Sequence, residues 1–253
     1  MRDRVVGRAR LRKGETVIDV GAGTGLLTME AMTRVGERGS VVALDVSRDA
    51  LTGCRQTAKD GASALEPGLV VGDVLSVPVR DRSVDVVIAR SVLIYVVDKA
   101  HAAREMHRVL RPGGRVSIFE PINREHRRFA DIDLSELDPE RTRVLERWHR
   151  GADPGDAMAG FDERDLVQVF VDAGFETVEL RYERVHTRAH ARPDQVMAQL
   201  SMRPNPNMVS YEEAAREVLG EDADEHLSAL VAALTSRPSV SVSAGAFLTC
   251  RRG

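Results

Sequence analysis

The stretch Val17-Ile18-Asp19-Val20-Gly21-Ala22-Gly23-Thr24-Gly25 constrains this chain more than any other. A short apolar run ends in three glycines at alternate positions, and Leu26 opens a helical pattern directly behind them. Glycine takes positive φ without steric cost and carries no Cβ. The backbone can therefore turn tightly, and a ligand can approach it where the helix begins. Further apolar runs at 41–45, 68–71, 84–89, 115–120 and 177–182 read as buried strands. Helical patterns lie between them. Ser47 is placed to N-cap a helix carrying Leu51, Cys54 and Ala58 on one face. Residues 99–110 put Ala103, Met106, Val109 and Leu110 on one stripe, which Arg111-Pro112-Gly113-Gly114 stops. Asp162 is placed to cap another helix, with Phe161 stapled onto Leu166 and Gly174 closing it. The final Ser239-to-Arg252 segment alternates polar and apolar and reads as a strand returning to the sheet. The expected fold is α/β, a doubly wound, seven-stranded, mostly parallel sheet.

Two stretches interrupt this alternation, one after the fifth strand (about 121–160) and one after the sixth (about 187–238). The first holds a helix with Asp138 as cap, Pro139 at its first position and Val144, Leu145 and Trp148 on one side. The second holds three: Pro193–Leu200, a helix opened by the Ser210-to-Glu213 capping box, and one marked by Leu227, Leu230, Val231 and Leu234. We read 1–253 as one domain with two helical cap insertions.

The glycine loop is not a dinucleotide fingerprint, which would need glycine where Leu26 stands, and no Gly-Lys-Ser/Thr follows for a Walker loop. It resembles the cofactor loop of class I S-adenosylmethionine-dependent methyltransferases, of the small-molecule, ubiquinone/menaquinone type. Asp45 at the end of the second strand, Gly72-Asp73-Val74 after the third, Asp81 to Val87 leading into the fourth and Leu110 to Arg115 before the fifth continue the resemblance in order. Each also admits a plain structural role, Asp45 as a cap and 81–85 as a solvated turn. The resemblance implies the Rossmann-like methyltransferase fold, S-adenosyl-L-methionine as cofactor, S-adenosyl-L-homocysteine as product and no metal. It implies that Asp19, Gly21, Ala22, Gly23 and Gly25 hold the methionine part and the approach to the ribose. Asp45 and Val46 would hold the ribose, and Asp73 and Val74 the adenine. Arg90 and Ser91, just past the fourth strand, would touch the cofactor.

Ligands of such sheets sit outside the carboxyl ends of the strands, where both insertions leave the sheet. The first strand begins at Val17, so the N-terminal lid helices of many relatives are nearly absent, with 3–9 able to form one short helix. Either the chain is trimmed or the insertions replace that lid, packing together over the cofactor's methyl group. Met158, Met197, Met202, Met208, Phe129 and Trp148 make the cap partly apolar. Packing explains most of them, and the remainder would suit a lipophilic or aromatic acceptor. Pro204-Asn205-Pro206 reads as a stiff elbow within the second insertion. Tyr95 and His126 are the candidates for orienting or deprotonating an acceptor, with His101, His149, His186 and His190 behind them. His101 and His107 are expected to face solvent. His126 also fits a solvated charge run, and transfer to a phenolate or amine needs no strong base.

Composition narrows the function further. Thirty-six basic against 39 acidic residues give a net charge of −3, unlike a dedicated nucleic-acid binder. No apolar run approaches the ~18 residues of a membrane span, and the start lacks a signal-peptide core, so the cytoplasm is the expected compartment. Cys54 and Cys250 show no ligand spacing and suggest neither a disulfide framework nor a zinc site. Lysine occurs only at 13, 59 and 99 beside abundant arginine, which we read as GC-rich, bacterial coding. The leading function is O-, N- or C-methylation of a small molecule in specialised metabolism, by a chain that a homodimer would also suit. One rival is a cyclase-like, non-methylating enzyme that keeps the cofactor. Another is a protein- or RNA-modifying methyltransferase, which the acidic balance and Ala89-Arg90-Ser91-Val92 in place of an Asn-Pro-Pro-Tyr-like motif oppose. A degenerate binding module is disfavoured because every cofactor acid is present.

Overall fold

The apolar runs become seven strands of one sheet in the computed structural model, which describes residues 2–61, 65–127, 129, 131–149, 163–203 and 208–253. In chain order they are β1 (Thr16–Val20), β2 (Ser40–Asp45), β3 (Gly68–Val71), β4 (Val84–Arg90), β5 (Leu110–Pro121), β6 (Thr177–Ala189) and β7 (Ser239–Arg251). Their spatial order is β3-β2-β1-β4-β5-β7-β6. β1 pairs in parallel with β2 and β4, β2 with β3, and β4 with β5, while β7 runs antiparallel to β5. The chain moves outward from β1 to β3 and then returns to place β4 on β1's other side. The loops after β1 and β4 therefore diverge at one switch point, which is where such sheets bind ligands.

The helices of this part are α1 (Arg2–Ala9), α2 (Leu26–Val35), α3 (Arg48–Asp60) and α4 (Lys99–Val109). Successive side chains on a strand point to opposite faces, and the core follows that rule. Val86 and Ile88 pack with Val5 and Val6 of α1 and Leu27, Ala31 and Met32 of α2. Val87 and Ala89, between and beside them, pack with Ala102, Ala103 and Met106 of α4 and with Leu166 and Phe170.

Beyond β5 come α5 (Asp138–His149), α6 (Glu163–Asp172), α7 (Pro193–Leu200), α8 (Tyr211–Leu219) and α9 (Ala223–Leu234). The expected Ser210 capping box is formed: Ser210 Oγ accepts from Glu213 N at 3.1 Å, and Glu213 Oε2 accepts from Ser210 N at 2.7 Å. Where the sequence suggests one domain with two insertions, the chain divides into two compact units. The first is Met1–Arg124, Ala157–Glu183 and Ala244–Gly253, and the second is Glu125–Asp156 and Arg184–Ser243. Both insertions contribute to the second, whose own core joins Val144 of α5 and Val196 of α7 to Ala214, Leu227 and Leu230.

Three local readings are corrected. β5 begins at Leu110 rather than 115, because Leu110 pairs with Val84 and Gly113 and Gly114 exchange backbone hydrogen bonds with Arg252. The helix-stopping turn is thus also sheet. β6 continues to Ala189, seven residues beyond its expected end, and most of its length is exposed, so no buried stripe marks it in the sequence. His107 does not face solvent: it is half-buried with its ring edge-on to Phe175 at 5.0 Å. Phe161, Asp162, Met158 and Pro204-Asn205-Pro206 lie outside the described residues, as does the His149 side chain. Among the described residues no helix is long and apolar enough to cross a membrane, and no three His, Cys, Asp or Glu side chains cluster to hold a metal.

Candidate cofactor and active site

The glycine loop uses its glycines in two ways. Gly21, Gly23 and Gly25 all have positive φ, +66°, +56° and +94°, a region that strains any residue with a Cβ. A Cβ on Gly21 would lie 2.4 Å from Val92 Cγ2, whereas one on Gly23 would meet nothing within 4 Å. Gly21 lets the β1 and β4 loops touch. Gly23 leaves open space over the backbone.

Asp45 at the end of β2 fixes that loop. Its Oδ2 accepts from Gly23 N at 2.8 Å and its Oδ1 from Ser47 N at 2.8 Å, which leaves lone pairs on both oxygens for a ligand. Asp73 Oδ1 accepts from Leu75 N at 2.9 Å, one turn past β3. These residues border a cavity of about 590 Å³ whose walls include Val20, Gly21, Val46, Val74, Ser91 and Val92. Its carboxylates are Asp45 and Asp73, and its lining carries no basic side chain. Three large apolar side chains on its border, Val46, Tyr95 and Val97, are 60 % or more exposed, an arrangement a ligand would cover.

Behind the cavity sit two buried carboxyl groups. Asp19 Oδ2 accepts from Thr28 Oγ1 of α2 at 2.6 Å, and burial pushes Asp19 up to about 7 against that hydrogen bond. Glu120 is fully buried at the end of β5. Its Oε1 accepts from Val92 N and Leu93 N at 3.0 Å, and its Oε2 from Ile94 N at 3.2 Å. Burial pushes Glu120 up to about 7 while those three donors hold it down. One side chain thereby pins the backbone turn that follows β4 and borders the cavity.

Set against the sequence reading, Gly21, Asp45, Val46, Asp73, Val74, Ser91 and Tyr95 meet at this cavity, and Gly23 joins through its bond to Asp45. Asp19, Ala22, Gly25 and Arg90 are not among its walls; Asp19 instead ties β1 to α2. His126 belongs to the second unit. Of the reserve histidines, His190 Nε2 bonds Thr235 O at 2.8 Å, His101 N is held by the Asp98 cap, and His186 is exposed. Glu120 and Thr28 escape the sequence reading. A lone acid closing the strand run Val116-Ser117-Ile118-Phe119 is the only signal for Glu120, and nothing local announces its partners at 92–94.

A family described as a methyltransferase domain matches residues 11–149, more than half of the chain. The chain is a class I S-adenosylmethionine-dependent methyltransferase. The methyltransferase is 31 % identical over 176 residues to the ubiquinone/menaquinone biosynthesis C-methyltransferase of a Shewanella species, covering 66 % of this chain and 69 % of the relative. It is 34 % identical over 173 residues to an arsenite methyltransferase of Halobacterium salinarum, covering 68 % of this chain but 40 % of that longer protein. The crystal structure of the YcgJ protein of Bacillus subtilis superposes with a TM-score of 0.63 at 15 % identity, over 99 % and 97 % of the two chains, a likeness of fold. S-adenosylmethionine is the methyltransferase's cofactor. The cavity fits it: an open glycine cradle, apolar walls and two carboxylates suit a cationic sulfonium nucleoside carrying a ribose diol.

Proposed function

We propose that this methyltransferase acts on a small, apolar or aromatic molecule. Asp45 is assigned to the ribose hydroxyls with Val46 beside it, Asp73 and Val74 to the adenine, and Gly21, Gly23 and Gly25 to the methionine end. Asp19 acts behind them by holding β1 to α2, Ala22 by its place in the loop, and Arg90 and Ser91 by shaping the exit of β4. S-adenosylmethionine supplies an already activated methyl group. The chain's work is to align an acceptor and exclude water. Tyr95, exposed on the cavity's border, is assigned to orienting the acceptor, and His126 is the candidate base.

The observation that carries the acceptor class is the apolar border of the cofactor cavity, where Val46, Tyr95 and Val97 stand exposed. The Shewanella relative, named for ubiquinone and menaquinone biosynthesis, supports the same class. A bacterial cytoplasm and specialised metabolism complete the reading. To test it, the protein is incubated with methyl-labelled S-adenosylmethionine and pools of small apolar molecules. Label transferred to an apolar product, with one S-adenosylhomocysteine released per transfer, is the expected result. Acceptor conversion without S-adenosylhomocysteine would establish the cyclase-like rival, and label found only in protein or RNA would overturn the small-molecule reading.

A further inference from the structure

The second unit contains a cavity of about 1040 Å³ bounded entirely by its own residues, at the upper end of the range for small-molecule sites. Most of its polar lining is at the mouth, where Arg127, Asp133, Ser135, Asp138 and Gln199 are exposed, and Arg141 is half-buried. Its interior is Leu145, Trp148, Tyr211, Leu230 and Leu234, buried or half-buried. The charges of the lining are two arginines, Arg127 and Arg141, against Asp133 and Asp138, and Arg141 pairs with Asp138 at 3.2 Å. They cancel, so the cavity favours neither a cation nor an anion. A charge placed among its aliphatic walls would also lose its hydration without a partner.

Two polar groups belong to the buried lining, the indole Nε1 of Trp148 and the phenol of Tyr211. The Tyr211 hydroxyl lies 3.1 Å from His226 Nε2, and His226 Nδ1 lies 3.3 Å from Glu140 Oε2. His226 is itself buried, 2 % exposed. With Nδ1–H given to Glu140, Nε2 accepts the phenolic proton of Tyr211. The Tyr211 oxygen then has acceptor capacity left and no second proton to give. Trp148 lies edge-on to the Tyr211 ring at 6.0 Å, and burial pushes Tyr211 up to about 12, so it stays a neutral phenol.

We propose that this cavity is a binding site for an uncharged, apolar ring compound carrying a hydroxyl or N–H that donates to Tyr211. His226 and Glu140 are positioning residues that hold Tyr211 as an acceptor. Binding is measured without methyl donor, so that it stands or falls separately from turnover.

Trp148 is the only tryptophan of the chain and lines the cavity, so its emission reports occupancy. The full-length protein is titrated with naphthol, its methyl ether and naphthalene sulfonate, following Trp148 emission and heat. Naphthol and the ether should both bind and shift the emission, naphthol about fivefold tighter and the sulfonate at least tenfold weaker than either. Tyr211→Phe should level naphthol and ether without abolishing binding. His226→Gln should narrow the gap, and Leu230→Trp, followed by heat alone because it adds a second indole, should exclude all three probes. Should Leu230→Trp not fold, Met202→Trp, at an exposed lining position and likewise followed by heat, blocks the mouth instead. The proposal is overturned if no probe moves Trp148 emission, if the sulfonate binds as well as naphthol, or if Tyr211→Phe keeps the full preference for naphthol.

Discussion

The two units reach their cavities by different routes. In the first, the walls come from strand ends and the loops behind them, and the polar work is done by backbone held in unusual conformations. Gly21 and Gly23 sit at positive φ, and Asp45 and Glu120 spend their oxygens on main-chain N–H groups. In the second, the walls are side chains projected from α5, α7, α8 and α9 and a preceding loop, with the phenol of Tyr211 and the indole Nε1 of Trp148 as buried polar elements. A site made of backbone tolerates little change in residue type, since conformation itself is the recognition element. A site made of side chains can be reshaped one residue at a time.

The greatest loss is expected at the backbone site. Gly23→Val should bring cofactor affinity down by a thousandfold or more, about 4 kcal/mol, because φ of +56° strains a branched residue and its side chain fills the open space. Circular dichroism should still show a folded sheet, and calorimetry showing normal binding would reduce the loop to a simple turn. Next comes Glu120→Ala, which strands three buried N–H groups and should cost roughly 3–5 kcal/mol of stability.

Glu120 also makes a pH prediction. Its folded pKa lies above the ordinary 4.5, near 7, because it is buried. The native state therefore holds more protons than the unfolded chain between those values, and stability falls as pH rises through that window, by roughly 3 kcal/mol. Asp19, raised to about 7 by burial, adds to the same slope. Chemical denaturation of Glu120→Gln across this range should show a shallower slope than wild type; an unchanged slope would mean that Glu120 titrates no differently once folded.

In the second unit, Leu227→Ala should cost roughly 2–4 kcal/mol through a cavity in its core, with cofactor affinity within twofold of wild type. A matching loss of cofactor binding would show that the two cavities are not independently built. The smallest effect is expected for Asp45→Ala, roughly 1.5–3 kcal/mol of cofactor affinity from lost hydrogen bonds to a charged acceptor. Calorimetry with unchanged affinity would remove Asp45 from the ribose assignment.

The cofactor site is largely legible in the sequence because its determinants are local. A strand, a glycine turn and a helix are adjacent along the chain, and each further acid stands at the end of its own apolar run. Legibility ends where a determinant is not local. Asp19 belongs to the motif, yet its carboxylate turns to Thr28 and away from the cavity walls. Glu120 carries no such motif, because its three partners lie 26 to 28 residues upstream. The exposed half of β6 has no hydrophobic alternation to betray it.

The alternation of strands and helices, the glycine conformations and the class of cofactor are written in the sequence alone, because periodicity and backbone freedom are properties of short segments. Tertiary structure was needed to bring Tyr211, His226 and Glu140 into one chain of hydrogen bonds and to gather most polar residues of the second cavity at its mouth. Glu140 and His226 are 86 residues apart, and no pattern along a sequence encodes which side of a helix meets another. That is settled by packing, when Val144 of α5 and Leu227 and Leu230 of α9 enter one core and carry their polar neighbours with them.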